Sequence, residues 1–166
     1  MNLEFIFIKN LKMTHLREGD KAPDFKGINE KGDLVSLRDF KGKKLALYFY
    51  PQDNTPTCTT EACNLRDDYS ILKKRGIEVL GVSPDSPRKH GNFIKKFDLP
   101  FSLIADEDLS IIKAYGIWGP KKFMGREYDG VNRTTFIIDE KGKIEKIIDK
   151  VKSKSHAQQI LDALAK

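Results

Sequence analysis

Leu45-Ala46-Leu47-Tyr48-Phe49-Tyr50, an unbroken apolar run ended by Pro51, restricts the possible folds more than any other stretch of the chain. Its length is that of a strand, and the lack of apolar/polar alternation means both faces must be covered. A strand covered on both faces needs a layer on each side of its sheet. The segments that follow supply such layers. From Pro56 a helix is expected to about Arg75, with Leu65, Tyr69 and Leu72 at spacings of four and three on one face and Gly76 closing it. Ile77-Glu78-Val79-Leu80-Gly81-Val82 reads as a second buried strand, and Pro87 opens another helix that carries Phe93 and Phe97 and ends at Leu99-Pro100.

The alternation continues with a short strand at 102–105 and a short helix from Leu109 to Tyr115. Residues 117–132 read as a long glycine-containing connection, of a length that usually serves function. Thr134–Asp139 and Ile144–Ile148 are apolar strands joined by Glu140-Lys141-Gly142-Lys143, a hairpin signal, and Ser155 is expected to cap a terminal helix carrying Ile160, Leu161 and Leu164. Ahead of the central run, Leu34, Val35 and Leu37 make a strand-and-turn pattern. The expected fold class is α/β, a central mixed sheet flanked by helices.

A chain of 166 residues is enough for one domain with a real core. Residues 1–13 read as an N-terminal extension ahead of a domain at 14–166, although an edge strand at Phe5–Ile8 would read the same way. That apolar run follows Glu4 and stops at Lys9, so it lacks the layout of a secretory signal. No stretch is expected to span a bilayer, and a cytoplasmic location is expected. The net charge of +6 comes from scattered pairs, Lys43-Lys44, Lys73-Lys74, Lys95-Lys96 and Lys121-Lys122, which read as solvated surface and not as a nucleic-acid patch. In a chain without an export signal, two cysteines point to chemistry or a metal sooner than to a permanent staple. His15, His90 and His156 lie in separate segments and form no recognised zinc spacing with the cysteines, so no metal or other cofactor is expected.

The chemistry is concentrated in Pro51-Gln52-Asp53-Asn54-Thr55-Pro56-Thr57-Cys58-Thr59-Thr60-Glu61-Ala62-Cys63, where the first central strand hands over to its helix. Open α/β sheets put their sites at such strand ends. With Thr55 as N-cap and Pro56 at the first helical position, Cys58 falls in the first turn, beside unpaired backbone N–H groups and the positive end of the helix dipole. Both favour a thiolate. Five residues along a regular helix put the Cys58 and Cys63 Cα atoms roughly 8 to 9 Å apart. A disulfide accepts no more than about 7 Å, so a bond between them requires the helix to unwind. Such a pair couples oxidation to an order change. Glu61 reads as an acid favoured by the helix dipole.

The pattern Pro51, Thr55, Cys58 resembles the Pro-x-x-x-Thr-x-x-Cys signature of peroxiredoxins, and Cys63 five residues on is similar to the bacterioferritin comigratory, or Q-type, branch. The resemblance extends to Gly19–Phe25, to Gly116-Ile117-Trp118-Gly119 and to Arg133–Asp139, and so covers essentially residues 14–165. Thr57 departs from it, since the branch usually has glycine or serine there. The resemblance implies a thioredoxin-like fold and a thioredoxin-dependent peroxidase acting on hydrogen peroxide and organic hydroperoxides. It implies that Cys58 is peroxidatic and that Cys63 resolves it through an intramolecular disulfide. Thr55 and Arg133 would stabilise the reacting groups, and Pro51 would shield the site. The intramolecular disulfide of this branch is compatible with a monomer. Two other readings of the cysteine pair remain open from the residues alone: a thiol-disulfide oxidoreductase, although Cys-x-x-Cys is absent, and a redox sensor or holdase that does not turn over.

Overall fold

The computed structural model describes residues 14–165; the expected extension and the Phe5–Ile8 run lie outside the described residues. A seven-stranded sheet runs in the order β2-β1-β5-β4-β3-β8-β9. Its strands are β1 (Lys26–Asn29), β2 (Leu34–Ser36), β3 (Lys44–Phe49), β4 (Ile77–Ser83), β5 (Leu103–Ala105), β8 (Thr134–Ile138) and β9 (Ile144–Ile148). Strands β3, β4 and β5 are parallel, while β8 lies antiparallel to β3 and β9 antiparallel to β8. The helices are α1 (Pro56–Asp67), α2 (Tyr69–Lys74), α3 (Pro87–Phe97), α4 (Ser110–Ala114) and α5 (His156–Leu164). Strand β3, the α1–α2 segment, β4, α3, β8, β9 and α5, with β4-β3-β8-β9 adjacent in that order, form the thioredoxin-like arrangement.

Strand β3 shows why a continuous apolar run was required. Leu45, Leu47 and Phe49 point to one face, where they meet Ile111 and Ile112 of α4 with Tyr115, Phe136 and Ile138. Ala46 and Tyr48, followed by Tyr50, point to the other, where Leu65, Leu72, Phe93 and Ile160 bring in α1, α2, α3 and α5. Each fully buried Leu or Phe of this set contributes about 1.5 to 3 kcal/mol by leaving water.

Two expectations change. The single helix from Pro56 to about Arg75 is two helices, because Asp68 (φ −104°, ψ 14°) leaves helical geometry. The Asp68 carbonyl then accepts from Ile71 and Leu72 N–H and starts a new ladder. Residues 117–132 are not an open connection: β6 (Trp118–Phe123) and β7 (Arg126–Val131) pair as an antiparallel hairpin. Met124 (φ 50°) and Gly125 (φ 79°) form its two-residue turn, both in the left-handed region that tight hairpins use. The hairpin has no alternating pattern because it buries little; Phe123 and Met124 are among the most exposed apolar side chains.

Candidate active site

The sheet register brings together residues far apart in the chain. Phe49 at the end of β3 is paired with Thr134 at the start of β8, so Arg133 sits beside the loop that follows β3. That loop carries half-buried Pro51 and Thr55 and delivers Cys58 into the first turns of α1. The Arg133 guanidinium donates from Nη2 to Cys58 Sγ at 3.1 Å and from Nη1 to Glu61 Oε1 at 2.5 Å. One planar cation therefore spans the sulfur and a carboxylate with two separate nitrogens held in fixed geometry, where a lysine has only one. Cys58 is buried, at 2% exposure, among Tyr48, Tyr50 and Ala62.

Thr55 occupies the N-cap position with extended geometry, as expected, but its hydroxyl does not cap the helix. It donates instead to the Gln52 carbonyl at 3.0 Å. Two consequences follow for the chemistry. The hydroxyl hydrogen is committed, so the Thr55 oxygen is left with only acceptor capacity. The first helical hydrogen bond is Thr59 N–H to Thr55 O at 2.8 Å, which leaves the Thr57 and Cys58 N–H groups without an intrahelical partner. Thr57, the departure from the Q-type pattern, is exposed and does not fill the site.

Glu61 differs from its expected role. It is fully buried, is bonded to Arg133, and serves the site more than the helix dipole. Burial pushes its carboxyl up to about 7, and Arg133 works against that rise. Its second oxygen lacks a hydrogen bond and lies 3.6 Å from His156 Nε2. Gln159 Oε1, already an acceptor for Lys152 N–H, takes the Nδ1 proton of His156, so Nε2 is left to accept from the Thr135 hydroxyl at 2.7 Å. His156 is held neutral by this arrangement, and burial lowers it to about 4. For Arg133, burial alone would lower its proton affinity, but Glu61 and the Cys58 sulfur together outweigh it and raise it. Tyr48 Oη is buried without a partner, and desolvation, helped by Glu61, raises its phenol well above the ordinary value.

Cys63 is half-buried on the same intact helix, and both cysteines are free thiols. Five steps around α1 turn their side chains about 140° apart, so neither distance nor direction permits a bond in this form. The residues that sequence reading left out of the site are Glu61, His156, Thr135 and Tyr48. The apolar runs around Tyr48 and Thr135 signalled burial, but nothing local signalled that Glu61 would meet Arg133.

The acidic and histidine side chains close enough to share a cation, among the described residues, are Asp53, Asp85 and His90, all buried. Most of their ligand atoms already take part in hydrogen bonds. Asp53 bonds Tyr50 Oη at 2.5 Å and His90 Nδ1 at 2.6 Å, His90 Nε2 donates to the Ile104 carbonyl, and Asp85 accepts from Ser83 and from Asp53 N–H. This cluster is a hydrogen-bonded brace that fixes the loop ahead of α1. A cavity of about 780 Å³, lined in part by Phe25, Leu37, Phe40, Leu45 and Ile138, lies at the other end of β3 and includes none of the site residues. No helix of the described residues is long and apolar enough to cross a membrane.

Known proteins resemble this chain in sequence and in fold. The AhpC/TSA family profile covers residues 18–147. A Bcp-type peroxiredoxin relative from Haemophilus influenzae is 49% identical over 152 residues, 92% of this chain and 98% of the relative. Peroxiredoxin Bcp of Escherichia coli is 45% identical over 152 residues, again 92% of this chain and 97% of the relative. Among solved structures, the bacterioferritin comigratory protein of Xanthomonas campestris, described for its alkyl peroxide reduction activity, superposes with a TM-score of 0.81 at 32% identity, covering 92% of this chain and 97% of that one. A conserved-length match across nearly the whole chain, together with an arginine-bonded cysteine at a helix start, identifies the chain as a member of the AhpC/TSA family, a peroxiredoxin of the Bcp type and thus a peroxidase.

Proposed function

We propose that this protein reduces hydrogen peroxide and organic hydroperoxides with Cys58 as the peroxidatic thiol and Cys63 as the resolving one. The observation that carries the reading is the contact of Arg133 Nη2 with Cys58 Sγ at 3.1 Å, in the first turn of a helix whose end N–H groups are free. A thiolate there attacks one peroxide oxygen; the S–O bond forms as the O–O bond breaks, and the departing oxygen gathers negative charge. The Thr55 oxygen accepts from the peroxide O–H, while Arg133 and the helix N–H groups stabilise the developing charge. Pro51 shapes the loop and keeps water from the sulfur.

Cys58 is left as a sulfenic acid. After α1 opens, the Cys63 sulfur attacks it, the S–S bond forms and water leaves with the hydroxyl and the thiol proton. A dithiol protein of the thioredoxin kind then restores both thiols and is itself oxidised. The organic hydroperoxide substrate class is supported by the alkyl peroxide reduction for which the Xanthomonas relative is described. An intramolecular disulfide suits a monomer acting in the cytoplasm, with no metal or organic cofactor.

Peroxide consumption coupled to thioredoxin and thioredoxin reductase tests the reading. Cys58→Ser is expected to abolish consumption. Cys63→Ser is expected to react once, accumulate a sulfenic acid trappable by dimedone, and stop. Wild-type turnover in Cys58→Ser would overturn the assignment, and a wild-type protein that reacts once and stalls would favour a sensor.

A further inference from the structure

Helix α5 begins at His156, and the residue ahead of it, Ser155, makes no capping bond with its side chain. The cap comes from another helix. Asn64 Oδ1 accepts from Ala157 N–H at 2.9 Å, and Asn64 Nδ2 donates to the Lys154 carbonyl at 3.0 Å. Asn64 directly follows Cys63 in α1, so the turn that holds Cys63 is tied at two points to the start of α5.

We propose that Asn64 is a positioning residue that latches the Cys63 turn to α5, holds α1 closed in the reduced protein, and is released when the Cys58–Cys63 disulfide forms. This rests on the assignment of Cys63 as the resolving thiol. Bond formation requires the two side chains to swing from about 140° apart and their Cα atoms to close to about 7 Å or less. Unwinding Pro56–Cys63 would leave only the four residues 64–67 of α1, a single turn that does not persist alone in water. Opening therefore passes through Asn64 and breaks its bonds to the Lys154 carbonyl, just ahead of α5, and to the Ala157 N–H within it. The latch opposes the resolving step, in which Cys63 S–H and Cys58 S–OH give the disulfide and water. It thereby lengthens the life of the sulfenic acid, which a second peroxide can oxidise to sulfinic acid while being reduced to its alcohol or water.

The test is Asn64→Ala, followed by stopped-flow fluorescence of the single tryptophan, Trp118, and by mass spectrometry of the cysteine peptides. Formation of the sulfenic acid should keep its wild-type rate, because the hydrogen bonds of Asn64 go to Lys154 and Ala157 and not to Cys58, Glu61 or Arg133. Disulfide closure should become about tenfold faster, the effect of losing two ordinary hydrogen bonds from the closed state. The fraction of Cys58 driven to sulfinic acid by excess peroxide should fall in step. Alanine is a better helix former than asparagine, so its intrinsic effect on α1 runs against this result. Closure at the wild-type rate, or equal acceleration of both steps, overturns the proposal. If the variant does not fold, amide exchange in the wild type decides. The Ala157 N–H should exchange at least about tenfold faster in the disulfide form than in the reduced form, because its acceptor has gone. Equal protection overturns the latch. A wild type that never forms the Cys58–Cys63 bond removes the Cys63 assignment itself, a result distinct from a bond that forms at a rate indifferent to Asn64.

Discussion

Replacing Glu61 with glutamine keeps the shape of the side chain and an oxygen for Arg133 Nη1, but removes the ability to ionise. In the wild type the carboxyl is fully buried, its second oxygen has no hydrogen bond, and burial moves it from 4.5 to about 7 in spite of Arg133. At about 1.4 kcal/mol for each tenfold change in proton affinity, that displacement is worth about 3 kcal/mol. The folded protein holds the proton more tightly than the unfolded chain does. Glu61 thus adds stability that is full below about 4.5 and is lost as pH rises through about 7. His156 acts in the opposite direction: it is lowered from 6.5 to about 4, so its contribution is present above 6.5 and is lost as pH falls through about 4. The two partly cancel in the wild type. Urea unfolding of the reduced protein, followed through Trp118 between pH 4.5 and 8, should therefore show a difference between wild type and Glu61→Gln that changes by about 3 kcal/mol, with the wild type losing ground as pH rises. Glu61→Gln alone should gain stability with pH over the range in which His156 loses its proton. A difference that stays constant across this range would refute the buried, proton-holding carboxyl.

Arg133→Lys should slow the reaction of Cys58 with peroxide by about 100-fold or more, since an ammonium cannot bridge Sγ and Glu61 as the guanidinium does; stopped-flow competition for peroxide measures it. Thr55→Val should cost about tenfold or more in the same rate. The same substitution should change unfolding free energy by less than about 0.5 kcal/mol, because the exposed hydroxyl does not cap α1. Tyr48→Phe should stabilise the fold by about 1 kcal/mol in urea unfolding, by removing a buried hydroxyl that has no partner; a loss of similar size would show a partner at that position.

The sequence made legible those features that rest on burial or on local chain chemistry. Strands β3 (Lys44–Phe49) and β4 (Ile77–Ser83) are covered on both faces, and the continuous apolar character of Leu45–Tyr50 and Ile77–Val82 marks them without any alignment. Pro56 and Thr55 mark the start of α1, and so locate Cys58, because those backbone requirements are local. Interactions across the fold left no such mark. Glu61 and Arg133 are 72 positions apart and meet only because β8 lies antiparallel to β3. Ser155 had the right residue type for a cap, yet Asn64 reaches across from α1 and does that work. The hairpin of β6 and β7 was hidden because its side chains are mostly exposed, and its turn uses Met124 where an asparagine would have announced the bend. The break at Asp68 has neither glycine nor proline to signal it.

The central claim, that Cys58 reacts fast with peroxide and then bonds to Cys63, is tested most directly by rapid mixing of the fully reduced protein with one equivalent of hydrogen peroxide, with quenched samples analysed by peptide mass spectrometry. The peroxide is expected to disappear far faster than with an ordinary thiol, with a short-lived sulfenic acid on Cys58 and then a Cys58–Cys63 disulfide within the same chain. Reaction at the rate of an unactivated thiol, or a stable product with Cys63 still reduced, would contradict that claim.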